Sequence, residues 1–176
     1  MRKLLLVVLP AVATATVVVW TWRVAGGASV WFAFVVVWAP MAGLGTASRA
    51  VRLRLPGRLH ELRAWERDGR VYERLGVRVA KSVLRRGPLA AFNPHLHLPA
   101  ERTPAQLAAL DERMCEAEAS HAVLLVVVLV VVVHAVARGW WVAAVWTLVF
   151  DVLMNGYPVM LQRYNRALLA GRFATA

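Results

Sequence analysis

The stretch HAVLLVVVLVVVVHAVARGWWVAAVWTLVFDVLMNGYP (121–158) decides the fold. Its centre, LLVVVLVVVV (124–133), has no polar residue and no alternation. A barrel strand alternates, so this run reads as a helix. Valine is a modest helix former in water, but a bilayer overrides that preference because every backbone polar group needs a partner there. A helix needs ~20 apolar residues to cross ~30 Å of hydrocarbon. The spans Ser120–Ala137 and Trp140–Leu161 meet that length on either side of a short Arg138-Gly139 turn, so they are read as antiparallel neighbours.

Two further apolar segments, Leu4–Trp22 and Ser29–Thr46, precede them. The chain has 176 residues, 60% of them hydrophobic, which excludes an ordinary soluble domain. The expected fold is an all-α integral membrane protein, with four transmembrane helices as two hairpins and a cytoplasmic amphipathic-helix insert between them. The parts are residues 1–46, 47–119 and 120–176. Arg2, Lys3 and the Ala13-Thr14-Ala15 site also fit a signal peptide. The apolar run continues to Trp22, which favours a retained helix kinked at Pro10.

Charge sets the orientation. Of 21 Lys and Arg, 14 fall between Arg49 and Arg113, two precede the first helix and three follow the last. The positive-inside rule puts both termini and the insert in the cytoplasm of a multi-pass cell-membrane protein. The net charge of +11 points to anionic headgroups or a phosphorylated substrate, not to nucleic acid. The single Cys115 excludes an internal disulfide.

Within the insert, Leu59, Leu62 and Trp65, then Val71, Leu75 and Val79, recur at helical spacing. Both sets predict short amphipathic helices, joined at Asp68-Gly69 and ended at Gly87-Pro88, lying either in the interface or on the rest of the insert. Thr103, Pro104 and Gln106 form an N-terminal capping pattern. Nothing breaks the helix they open before Gly139.

The fourth helix carries Asp151, Asn155, Pro158, Gln162 and Asn165 at spacings of 4, 3, 4 and 3, which sets all five on one face. Polar residues in a span face a bundle interior or a cavity, either as interhelical glue or as a site. Counting equal rises from the Arg138-Gly139 turn brings Glu118, His121, Asn155, Tyr157 and Gln162 to one depth near the cytoplasmic boundary. Glu118 and His121 are three apart and project from one helix face. A carboxylate beside an imidazole fixes its tautomer and suits it to act as a general base toward a hydroxyl. His95 and His97 make only a weak metal pattern, so no metal and no other cofactor is expected.

Three stretches carry a resemblance: YERLGVRVAKSVL (72–84), Glu118-Ala-Ser-His121 and NGYPVMLQRYNR (155–166). With their order and spacing, the chain resembles the glycosyl-4,4′-diaponeurosporenoate acyltransferase family over roughly residues 65–168. The resemblance implies transfer of a fatty acyl group from an activated donor, acyl-CoA, to a sugar hydroxyl of a glycosylated terpenoid acid or other glycolipid. Two stretches depart from the family pattern. Ala80 stands before Lys81 where a Trp is usual, and GPLAAFNPHLHLP replaces a Gly-rich loop, so the acceptor stays open.

On this reading His121 and Glu118 are catalytic. Asn155, Tyr157, Gln162, Arg163, Asn165, Arg166 and Lys81 bind substrate. Arg85 and Arg86, or Arg163 and Arg166, hold the donor phosphates. Asn155, Gln162 or Arg163 stabilises the oxyanion. Cys115 offers an acyl-enzyme route. Two other classes stand beside the enzyme: a non-catalytic lipid-binding or assembly protein whose stripe is glue, and a small transporter using Asp151. Oligomeric state is not legible.

Overall fold

A computed structural model of the chain describes residues 1–48, 50–84, 86 and 103–173. The elements are α1 (Arg2–Ala25), α2 (Val30–Ala47), α3 (Gly57–His60), a 3-10 turn (Ala64–Glu66), α4 (Arg70–Arg74), α5 (Val77–Leu84), α6 (Pro104–Ala137), α7 (Trp141–Asp151), a π-helical turn (Val152–Gly156) and α8 (Tyr157–Phe173). No strand occurs among the described residues. Four helical stretches, Arg2–Ala25, Val30–Ala47, Pro104–Ala137 and Trp141–Gly171, are long and apolar enough to cross a membrane. The all-α membrane fold read from the sequence is therefore the observed one.

The chain divides into two compact units. The first holds Met1–Leu53 and Ala119–Gly156; the second holds Arg54–Glu118 and Tyr157 onward.

In the first unit, Gly26 (φ 77°) turns α1 into α2, and Ser29 Oγ caps α2 by accepting from Phe32 N–H at 3.1 Å. The two helices approach closely where Gly43 faces Thr14; a Cβ there would collide with the Thr14 hydroxyl. Small residues permit such backbone approach in lipid, where packing rather than hydrophobicity holds helices together. The core is Phe32, Val36, Val37 and Val128, with Val18, Val131, Phe150 and Met154 packed on it. At the end with the short turns, Trp22 meets Phe32 and Trp140 edge-on at 5.1 and 5.5 Å, and the Arg138 guanidinium sits 5.4 Å over Trp140. Aromatics and a cation gathered this way fit an interfacial belt. Val126, Val130 and Val133 stay exposed along one stripe of α6, the face an acyl environment covers.

In the second unit, Tyr72, Val77, Leu161 and Tyr164 form the core, with Val71, Leu84, Tyr157, Met160 and Leu168 around them. Gly69 (φ 72°) opens α4 and lies flat on Tyr164, where a Cβ would come within 3.0 Å of the ring. The cap read at Thr103 is present: its Oγ1 accepts from Gln106 N–H at 3.3 Å.

Three expectations change in detail. The first amphipathic helix is not continuous, because Glu61 is extended (φ −61°, ψ 130°) between α3 and the 3-10 turn. The second breaks at Gly76 (φ 78°) between α4 and α5. The fourth apolar helix opens into the π turn just before Pro158. Proline offers no N–H to the carbonyl of residue 154 and its ring crowds that carbonyl, so a wider local register relieves the clash. The Gly87-Pro88 break falls outside the described residues.

Candidate functional site

Two polar clusters, one in each unit, contain Asp151, Asn155 and His121 on the one hand and Glu118, Arg163 and Arg166 on the other.

The cluster of the first unit is a short chain of three side chains. Asp151 and Asn155 are wholly buried, at 0% exposure. Asn155 Nδ2–H donates to Asp151 Oδ1 at 2.8 Å. Its Oδ1 lies 3.1 Å from His121 Nδ1. An amide oxygen can only accept, so His121 Nδ1 carries the proton. In the neutral ring the lone pair then resides on Nε2. Asp151 Oδ2 is buried without a hydrogen-bond partner among the described residues. Thr147, one turn before Asp151, is 1% exposed and extends the polar line. The π turn sets Asn155 here, and π turns inside α-helices recur at functional sites.

The cluster of the second unit is an ionic clasp. Arg163 grips Glu66 in a two-point fork, Nε to Oε1 and Nη2 to Oε2, both 2.7 Å. Its Nη1 reaches Glu118 Oε1 at 2.6 Å and the Leu59 carbonyl at 2.9 Å, and its Nη2 reaches the Glu61 carbonyl at 3.0 Å. All five guanidinium N–H groups are thereby used. Arg166 donates to Asp111 Oδ1 (2.9 Å), Glu118 Oε2 (3.0 Å) and the His60 carbonyl (2.7 Å). The break at Glu61 is explained here. A continuous helix would commit the carbonyls of Leu59, His60 and Glu61 to its own ladder, whereas the extended residue leaves them to the arginines.

Glu66 sits at the centre of the clasp. Burial would raise its carboxyl, but hydrogen bonds from Arg163, Tyr72 and the Arg63 backbone prevail and hold it at about 2. Tyr72, whose hydroxyl donates to Glu66, is pushed up to about 12 by burial and by that carboxylate. His60 adds a ring beside Glu118: its Nε2 accepts from Leu55 N–H at 3.2 Å and its Nδ1 stands 3.7 Å from Glu118 Oε2.

The remaining expected site residues lie in the second unit. Tyr157 hydroxyl donates to the Leu75 carbonyl at 3.1 Å. Lys81 Nζ donates to Asn165 Oδ1 at 2.5 Å and stands 5.5 Å over the Tyr164 ring. Gln162 is half-buried on α8. Cys115 Sγ is 4.0 Å from Asp111 Oδ2.

The pairing expected between Glu118 and His121 is replaced by other partners. Both oxygens of Glu118 are engaged by Arg163 and Arg166, and the group bonded to His121 is Asn155. Arg163 and Arg166 likewise direct hydrogen bonds to carboxylates and backbone carbonyls of the same unit. Sequence reasoning missed Glu66, Tyr72, His60 and Asp111 as their partners, since Glu66 and Arg163 are 97 residues apart. Asp151 was visible as part of the polar stripe. Among the described residues no group of three His, Cys, Asp or Glu is placed to hold a metal. His95, His97 and Arg85 lie outside the described residues.

A protein-family model described as glycosyl-4,4′-diaponeurosporenoate acyltransferase matches residues 56–171. The match takes in the whole clasp, His121 and the π turn, and it begins after the α1–α2 hairpin. No curated protein and no solved structure matches the chain.

Proposed function

The chain belongs to the glycosyl-4,4′-diaponeurosporenoate acyltransferase family, and from that premise we propose that it moves a fatty acyl group from acyl-CoA to a sugar hydroxyl of a glycosylated terpenoid acid, with His121 as general base. Membership makes the chain an acyltransferase, so the readings as a non-catalytic assembly protein and as a transporter fall away.

The observation that carries this reading is the His121–Asn155 bond, with Asn155 tied in turn to Asp151. It fixes the tautomer that a base needs. Nε2 takes the proton of the acceptor hydroxyl as its oxygen attacks the thioester carbonyl. The C–S bond breaks as the tetrahedral intermediate collapses, and the imidazolium returns the proton to the departing thiolate. Asn155 and Asp151 act through His121 as positioning residues. Glu118 serves the reaction at one remove, by holding Arg163 and Arg166. Tyr157, Gln162, Asn165 and Lys81 are assigned to substrate binding.

The basic insert and both termini are assigned to the cytoplasmic side, where acyl-CoA is available and where the positive-inside rule puts them. The test is transfer by the purified chain in lipid nanodiscs, supplied with radiolabelled long-chain acyl-CoA and glycosyl-4,4′-diaponeurosporenoate. A labelled ester is expected. Ester formation from a different acyl donor, with none from acyl-CoA, would overturn the donor assignment.

A further inference from the structure

The second unit holds a cleft of about 460 Å³ lined by Arg78, Lys81, Ser82, Arg86 and Tyr164. That volume is in the range of small-ligand sites. Among the described residues that line it, three of five are cationic and none is a carboxylate. The contrast with the clasp is chemical. Arg163 spends every N–H on carboxylates and carbonyls, whereas Arg78 holds only a loose ion pair, its Nη1 3.7 Å from Glu73 Oε2, with the side chain 71% exposed.

The cleft is built rather than incidental. Its floor is Tyr164, a buried core residue whose hydroxyl is anchored to Glu73 at 2.8 Å. Lys81 is steadied by Asn165 and lies over the Tyr164 ring. Ser82 adds a hydroxyl to the lining. Successive residues of a helix step 100° around its axis, so Lys81, Arg78 and Ser82 share one arc of α5. Val77, which is fully buried, lies on one side of that arc. Val79 and Val83, 69% and 54% exposed, lie on the other. α5 thus presents a cationic row flanked by an open apolar row, the surface that suits a ligand with a multiply phosphorylated head and an acyl tail.

We propose that this cleft seats the phosphates of the acyl donor, so that Arg78, Lys81 and Arg86 bind the nucleotide end of acyl-CoA. The assignment rests on the acyl-CoA reading above. Anionic lipid headgroups present the same phosphate chemistry, and the experiment separates the two sources.

The purified full chain is placed in nanodiscs of phosphatidylcholine alone, and binding of radiolabelled CoA is measured without acyl group or acceptor. Saturable binding is expected, weakened at least tenfold in Lys81→Gln/Arg86→Gln and weakened also for CoA lacking its 3′-phosphate. Lys81→Arg is expected to restore most of the affinity, which a merely unfolded variant would not allow. The same binding repeated in phosphatidylglycerol nanodiscs should show only modest competition. Absence of CoA binding by the folded wild type would overturn the proposal. So would equal binding by the double variant, or complete displacement of CoA by phosphatidylglycerol, which would give the cleft to a headgroup. Because no turnover is read, failure of the cleft leaves the His121 assignment standing, and a His121→Gln variant that still transfers leaves the cleft standing.

Discussion

The ionic clasp and the His121 chain are both buried polar clusters, and they differ in how completely their members are satisfied. In the clasp, Arg163 has a partner for every donor and Glu118, 2% exposed, has both oxygens engaged, while only His60 Nδ1 at its edge lacks a hydrogen bond among the described residues. In the His121 chain, one oxygen of Asp151 has no hydrogen-bond partner among the described residues, and the bonds run in one direction, from His121 through Asn155 to Asp151. An arginine with every donor taken by carboxylates and carbonyls fixes a shape and has nothing left to offer a substrate. A short directed chain ending in an imidazole leaves one nitrogen for chemistry. The NGYPVMLQRYNR stretch serves both: Asn155 belongs to the His121 chain, while Arg163 and Arg166 belong to the clasp. A sequence match over this stretch is therefore partly a match of architecture.

The largest effect on stability is expected at the clasp. Arg163→Leu leaves Glu66 buried without its cation and Glu118 with Arg166 alone, and stranding a buried charge in this way typically costs about 3–5 kcal/mol. A thermal melt in nanodiscs should show the loss, and Arg163→Lys should not repair it because an ammonium lacks the planar five-donor fork. An Arg163→Leu protein melting like the wild type, yet losing donor affinity, would move Arg163 from the clasp to the binding site and break the comparison.

Asn155→Leu should cost less stability, about 1–3 kcal/mol for the stranded Asp151 oxygen. Its distinguishing effect is on His121. Nitrogen-15 spectra of labelled histidine should show the wild-type ring with its proton on Nδ1 and a mixture of tautomers in the variant. Transfer should fall about tenfold or more, which corresponds to roughly 1.4 kcal/mol of lost barrier stabilisation. Unchanged tautomer and rate would make Asn155 a packing residue.

A third effect concerns pH. The Glu66 carboxyl is lowered from an ordinary 4.5 to about 2, so its contribution to stability is complete above pH 4.5 and is lost as pH falls toward 2. Melting temperatures of the wild type should decline across that window. Glu66→Gln should start lower and lack this part of the slope. A parallel decline in both proteins would assign the acid sensitivity elsewhere.

The four spans were legible because apolar runs such as Val126–Val133 admit one reading in lipid. The long α6 was legible too, because Thr103 and Pro104 mark its start and nothing breaks it before Gly139. Local helical spacing misjudged the insert. Leu59, Leu62 and Trp65 fit a continuous helix, but the carbonyl of Glu61 is claimed by Arg163 from 102 residues away. Such a demand leaves no mark on nearby residues. The polar stripe of the fourth helix was legible as composition, but the π turn within it was not, since Pro158 marks a disturbance without specifying its register. Glu118 and His121 are polar and three residues apart, which makes a pair of them on local grounds. Their partners come from other segments, and only the fold supplies them.

The most direct test of the division between clasp and reactive chain is the acyl-transfer rate of His121→Gln beside the wild type, in nanodiscs, with melting temperatures matched. Loss of a general base typically removes about 10²–10⁴ in rate. The expected variant is folded, with its clasp intact and its transfer reduced by at least that lower figure. A His121→Gln protein that transfers within a few-fold of the wild type would contradict this division.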